Sequence, residues 1–204
     1  MEQIDAMPSK ALAHWQATSR LKLDEFENAH ISVSGGGGRG RRYATEQLNH
    51  AYLVGVAAQF QRFCRDLHSE ASQHLAAVVA MNRDVQTIFL SALTTGRKLD
   101  AGNAHPSSLG SDFKRLGIRL NEELHAASRL NRRRLLRLEQ LNVWRNAIAH
   151  QDFNFSIEEQ NLIRGTQPQL RFVRTWRHGC NELAEQLDSV VGAYVSRVVG
   201  TPPW

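Results

Sequence analysis

At 204 residues the chain is long enough for one domain with a substantial core and short for two. Its 25 basic residues, mostly arginine, stand against 20 acidic ones and leave a formal charge of +5, which suits an anionic partner but also plain solubility. Cys64 and Cys180 lie too far apart for a CxxC zinc cluster or a secreted disulfide scaffold, the N-terminus lacks the order of a signal peptide, and apolar runs such as LAAVVAM are too short to span a bilayer, so a cytoplasmic protein off the membrane is expected.

Pro8 and Ser9 precede a first predicted helix over residues 10–30, in which Leu12, Trp15, Leu23 and Phe26 supply an apolar stripe. It reads as an N-terminal arm that could pack on a partner. Residues 32–42, SVSGGGGRGRR, follow as a Gly/Arg-rich linker or an RNA-contacting segment. The run lacks the Lys-Ser/Thr ending of a P-loop and the spacing of a dinucleotide fingerprint. The expected organisation is therefore an arm and linker over 1–42 and a helical domain over 43–204.

One long helix is predicted over 43–75, where Leu48, Tyr52, Val56, Phe60, Phe63 and Leu67 recur at helical spacing. Another covers 82–99 through Val85, Ile88, Phe89, Ala92 and Leu93. The turn formers around Pro106 break the chain, with Ser107 or Ser108 available to cap a helix over 109–125 that Gly117 weakens. A helix over 130–150 comes next, followed by an aperiodic stretch in which Ser156 and Glu159 form a capping-box pattern. The last helix spans 169–199 through Phe172, Trp176, Cys180, Leu183, Leu187 and Val191, and the tail GTPPW stops it. No strand pattern persists, so the reading is all-α, with four or five principal helices around one core and an N-terminal helical arm.

The helix over 130–150 carries more than packing demands. Leu135, Leu138, Leu141, Trp144 and Ile148 satisfy the core, yet Arg145, Asn146 and His150 crowd its C-terminal end. Arginine donors can neutralise and orient a phosphodiester, while imidazole can move a proton at the attacking or leaving oxygen. On an ideal helix Arg145 and His150 stand about 140° apart with a rise of about 7.5 Å, whereas Asn146 and His150 share a face. The three line one site only if the helix frays near His150 or a second subunit brings its copy alongside. Taken singly, Arg145 also fits a surface salt bridge with Glu139 or Asp152, and His150 a helix cap. If the 2′-hydroxyl of RNA is the nucleophile, no metal or other cofactor is needed and DNA is excluded.

The segment LNVWRNAIAHQDF, residues 141–153, resembles the signature of the HEPN superfamily: an arginine, commonly a polar residue after it, then a histidine a few positions on. Arg145, Asn146 and His150 match it one for one. The helices over 43–75 and through Trp176 also resemble the framing helices of the RiboL-PSP-like branch. The likeness covers residues 43–199 and leaves the arm and glycine run aside. It implies an all-helical, usually dimeric, metal-independent endoribonuclease with a toxin, antiviral or RNA-processing role, and an antitoxin or sensor as partner. A family variant regulated through a tyrosine two positions after the histidine has Asp152 at that place, so that regulation is not expected.

Two further basic groups are candidates for RNA binding. Arg129, Arg132, Arg133, Arg134 and Arg137 crowd the first half of the same helix, and Arg171, Arg174, Arg177 and His178 make a stripe on the last one. Each group reads either as a solvated polar face or as a track for the phosphate backbone. His50, His68, His74, His105 and His125 form no recognised metal-ligand pattern.

Overall fold

A computed structural model describes residues 7–34, 42–79 and 82–204 of the chain. The glycines and arginines of 35–41, read above as linker or RNA contact, lie outside the described residues. Among those described, the order is α1 (Lys10–His14), a π-helical turn (Trp15–Ser19), α2 (Arg20–Ser34), α3 (Arg42–Val79), α4 (Arg83–Thr94), α5 (Lys98–Ala101), α6 (Pro106–Lys114), α7 (Leu120–Ala127), α8 (Asn131–His150), α9 (Ile157–Ile163) and α10 (Leu170–Val199).

The all-α expectation stands, and the count of four or five helices does not: eight of the described α-helices have seven residues or more. Two of the predicted long helices are broken, each at a glycine in the left-handed region. The helix expected over 82–99 ends at Thr94, and Gly96 at φ 70° turns the chain into α5. The helix expected over 109–125 is two, α6 and α7, divided at Gly117 with φ 86°. A side chain at Gly117 would collide with the Tyr194 hydroxyl, which donates a 3.0 Å hydrogen bond to the Leu116 carbonyl. His105 takes the cap expected of Ser107 or Ser108, accepting from the Ser107 N–H at Nδ1, with Pro106 in the first turn.

The first helix is not a detached arm. Trp15 is 1% exposed and Leu23 fully buried. Eight residues would leave these two about 80° out of register on an ideal helix, and the wider π turn between them takes up that offset. Trp15 packs its edge on Phe60 and donates from Nε1 to Asn181 Oδ1 at 3.2 Å, so it wedges between α3 and α10. Phe26 stacks on Tyr52.

The core is the seam where α3, α8 and α10 meet. Leu53, Val56, Phe60, Cys64, Leu67 and Ala71 of α3, Leu138 and Leu141 of α8, and Val173, Trp176, Cys180, Leu183, Leu187 and Val191 of α10 are among its buried residues. Each set repeats at three and four residue steps, so one stripe per helix faces inward. Among the described residues, no helix is long and apolar enough to cross a membrane. Both cysteines are buried and unpaired.

Candidate functional site

Helix α8 places the candidate residues. Its apolar stripe fixes the rotation, and Asn142, 3% exposed, donates from Nδ2 to the Ala104 carbonyl at 3.1 Å. That bond pins the loop between α5 and α6 against the helix. The loop in turn offers Asn103, whose Nδ2 donates to Asn146 Oδ1 at 2.6 Å. Arg145 Nη1 donates to the same oxygen at 3.2 Å. Asn146 is exposed, its carbonyl oxygen is held twice, and its amide nitrogen has no hydrogen bond among the described residues, with the Arg145 guanidinium held beside it. Guanidinium and amide thus form one cluster of donors, the chemistry that binds a phosphate.

His150 stands one turn further on. It is exposed, and no hydrogen bond or ion pair among the described residues engages its imidazole. The helix remains regular up to it: Gln151 then takes the left-handed conformation at φ 53°, and Asp152 N–H bonds back to the Ala147 carbonyl at 3.0 Å. Asn146 and His150 line a shallow hollow of about 310 Å³ together with Asp152, Asn154 and Glu159. Arg145 does not line it and reaches it only through Asn146. Fraying, one of the two routes to a shared site, is therefore not the one this backbone takes. Asp152 accepts from the Asn154 backbone and side chain, which shapes the loop leaving the helix.

The arginines read as a track divide into two populations. Arg132 and Arg133 are exposed and line a groove of about 630 Å³ with Arg129, His125 and Leu136. Pro106 closes the groove on its far side, three residues from Asn103, so the loop that touches Asn146 also borders the basic groove. Arg134 is spent inside the fold: Nη1 donates to Asn131 Oδ1 at 2.7 Å and Nη2 to Glu182 Oε1 at 2.9 Å. These contacts hold the Glu182 carboxyl below its usual range. Arg137 lies against Gly179, with Nη1 4.0 Å from Glu182.

On α10, Arg171 is exposed over the Phe172 ring. Arg174 donates from Nε to Glu27 at 2.8 Å, and Arg177 bonds Tyr52 Oη at 2.9 Å and Asp24. Those two arginines clamp α2 onto the core. The residues that sequence reasoning passed over are Asn103, set in what looked like an ordinary turn, and Asn49, treated below; neither carries a local pattern that marks it.

Among the described residues no three His, Cys, Asp or Glu side chains are grouped to hold a metal ion. No protein-family model matches this chain, and neither a curated protein nor a solved structure matches it.

Proposed function

We propose that the protein is a nucleic-acid-processing enzyme, and more particularly a metal-independent endoribonuclease of the HEPN type. The observation that carries the reading is a histidine with no partner among the described residues in the same hollow as Asn146, whose amide N–H groups and neighbouring guanidinium form a cluster of donors. The donors would receive a phosphodiester and stabilise charge developing on its oxygens. The 2′-oxygen attacks phosphorus while its proton passes to imidazole; the bond to the 5′-oxygen breaks as that oxygen takes a proton, leaving a cyclic phosphate and a free 5′-hydroxyl.

One imidazole cannot face both oxygens of an in-line displacement at once. A regular α8 supplies one His150 per chain, so a homodimer with two facing copies answers the need for a base and an acid. A toxin or antiviral defence role, held in check by an antitoxin or sensor, fits an enzyme whose target every cell contains.

The test is cleavage of mixed cellular RNA in EDTA by wild type, His150→Ala and Arg145→Ala. Loss of about 10²-fold or more in both variants is expected. Undiminished cleavage in either variant, or cleavage only with added metal, overturns the reading. The exposed groove at Arg129, Arg132 and Arg133 favours a second reading, a non-catalytic RNA-binding or regulatory protein, because that groove stands without His150. It predicts salt-sensitive binding with no product.

A further inference from the structure

On the other side of the loop that follows His150 lies a larger cleft, of about 620 Å³, between the start of α3 and the start of α10. Its walls include His50 and Phe153, whose rings face each other nearly in parallel at 6.3 Å. Trp144 contributes to the wall, its own Nε1 already bound to Thr166 Oγ1 at 3.3 Å. Phe153 keeps 44% of its surface exposed on the cleft wall, which leaves aromatic area open to a ligand.

Asn49 also lines the cleft, only 8% exposed, and its Oδ1 is buried with no hydrogen-bond partner. A buried acceptor left unpaired costs about as much as a lost hydrogen bond, so a ligand donor that meets it when the Asn49 amide turns toward the cleft would be favoured. Glu46, exposed at the cleft rim, supplies a second acceptor. Flat aromatic surface with hydrogen-bond acceptors beside it is the chemistry that takes an unstacked base.

We propose that this cleft binds an unpaired nucleobase carrying an exocyclic amino group, adenine, cytosine or guanine rather than uracil, from the strand whose phosphate lies at Asn146 and His150. The base lies along the rings of Phe153 and His50 and gives its amino protons to Asn49 Oδ1 and the Glu46 carboxylate. Uracil presents no amino group to that pair of acceptors. The site is within reach of the scission point: Phe153 is three residues from His150, a span of at most about 11 Å, and Trp144 precedes Arg145. The inference rests on the ribonuclease reading for its ligand, and it adds a reason for cleavage to prefer single-stranded positions beside a base other than U.

The experiment measures binding, so that it fails separately from catalysis. Fluorescein-labelled rA6, rC6 and rU6 are titrated into the full chain carrying His150→Ala, alone and combined with Phe153→Ala, Glu46→Gln or Asn49→Ala. Expected are rA6 and rC6 binding about tenfold tighter than rU6, and a loss of about 5- to 100-fold for rA6 with Phe153→Ala, what one base stack is worth. Glu46→Gln and Asn49→Ala should shrink the preference over rU6. Because Phe153 and Glu46 are exposed, their replacement leaves the fold intact even if Asn49→Ala does not. Equal affinity for all three hexamers, indifference to Phe153→Ala, or no binding at all overturns the proposal. Base-selective, Phe153-dependent binding without RNA cleavage by wild type would keep the cleft and remove the nuclease.

Discussion

The buried region around His68 and the outer end of α8 around His150 each hold a histidine and an arginine and put them to opposite uses. His68 is fully buried. Its Nε2 lies 3.0 Å from the Asp112 carbonyl, and Arg97 Nη1, which can only donate, lies 3.3 Å from Nδ1. The proton is therefore on Nε2 and the ring is neutral. Arg97 is in turn paired with Asp100, and the Asp112 carboxylate accepts from the first two N–H groups of α5 at 3.0 and 2.8 Å. Every group there is satisfied inside the chain. At the end of α8, an arginine and two asparagines are arranged by mutual contact, but the histidine one turn further on is exposed and has no hydrogen bond or ion pair among the described residues. Complete partnering makes structure; partnering that stops one bond short leaves a group able to act on something else.

The sharpest way to break this contrast is His150→Ala, which should cut RNA cleavage by about 10²- to 10⁴-fold and leave the urea midpoint unchanged; a large drop in stability would place His150 with His68 instead.

Acid tests the other side. Burial pushes His68 down to about 4, with the Arg97 charge adding to it and the hydrogen bond to the Asp112 carbonyl opposing it. An unfolded histidine titrates near 6.5, so at neutral pH both states are neutral and the group is indifferent. As pH falls from about 6.5 the unfolded chain takes the proton first, and stability declines until about pH 4, by a total of about 3 kcal/mol. Urea unfolding between pH 7 and 4 reads that slope, and His68→Gln should flatten it without altering cleavage per folded molecule at pH 7.

The two populations of arginine give the next comparison. Arg134→Ala removes the donor to Asn131 Oδ1 and the shortest of the contacts to Glu182, and should cost about 1–3 kcal/mol in urea denaturation, with RNA binding changed only through folding. Asn103→Ala removes one of the two donors that fix Asn146, and cleavage should fall about tenfold, as loss of a hydrogen bond of roughly 1.4 kcal/mol implies. Its stability should be unmoved within about 0.5 kcal/mol. Smallest of all, Arg132→Ala should leave stability alone and lower the salt dependence of RNA affinity by about one unit of slope; no change would make the groove an ordinary polar face.

Much of the fold was legible because periodicity reports burial directly. The stripes on α3, α8 and α10 are continuous, and the Ser156 to Glu159 capping box is present as its pattern predicts, with Glu159 reaching back to the Ser156 N–H at 2.8 Å. The broken helices were illegible for a reason that lies elsewhere in the chain. Gly117 is a weak helix former in any sequence, but it becomes a corner because Tyr194, from the last helix, holds the Leu116 carbonyl. The first helix was misjudged because a stripe of Leu12, Trp15, Leu23 and Phe26 says that a face is buried and not against what.

The sequence alone determined that the chain is helical, that α8 carries a surplus of polar residues at its end, and that Asn146 and His150 share a side of it, since these follow from the 3.6-residue repeat. Tertiary structure decided the rest. It gave Asn146 its orientation through Asn103, 43 residues away in the chain, and set carboxylates from other helices against Arg134, Arg174 and Arg177, drawing Arg134 and Arg177 out of the solvated surface. Charge in a sequence is only a potential for binding. Whether it is spent on the fold or left for a ligand depends on which side chains the packing brings within hydrogen-bond reach.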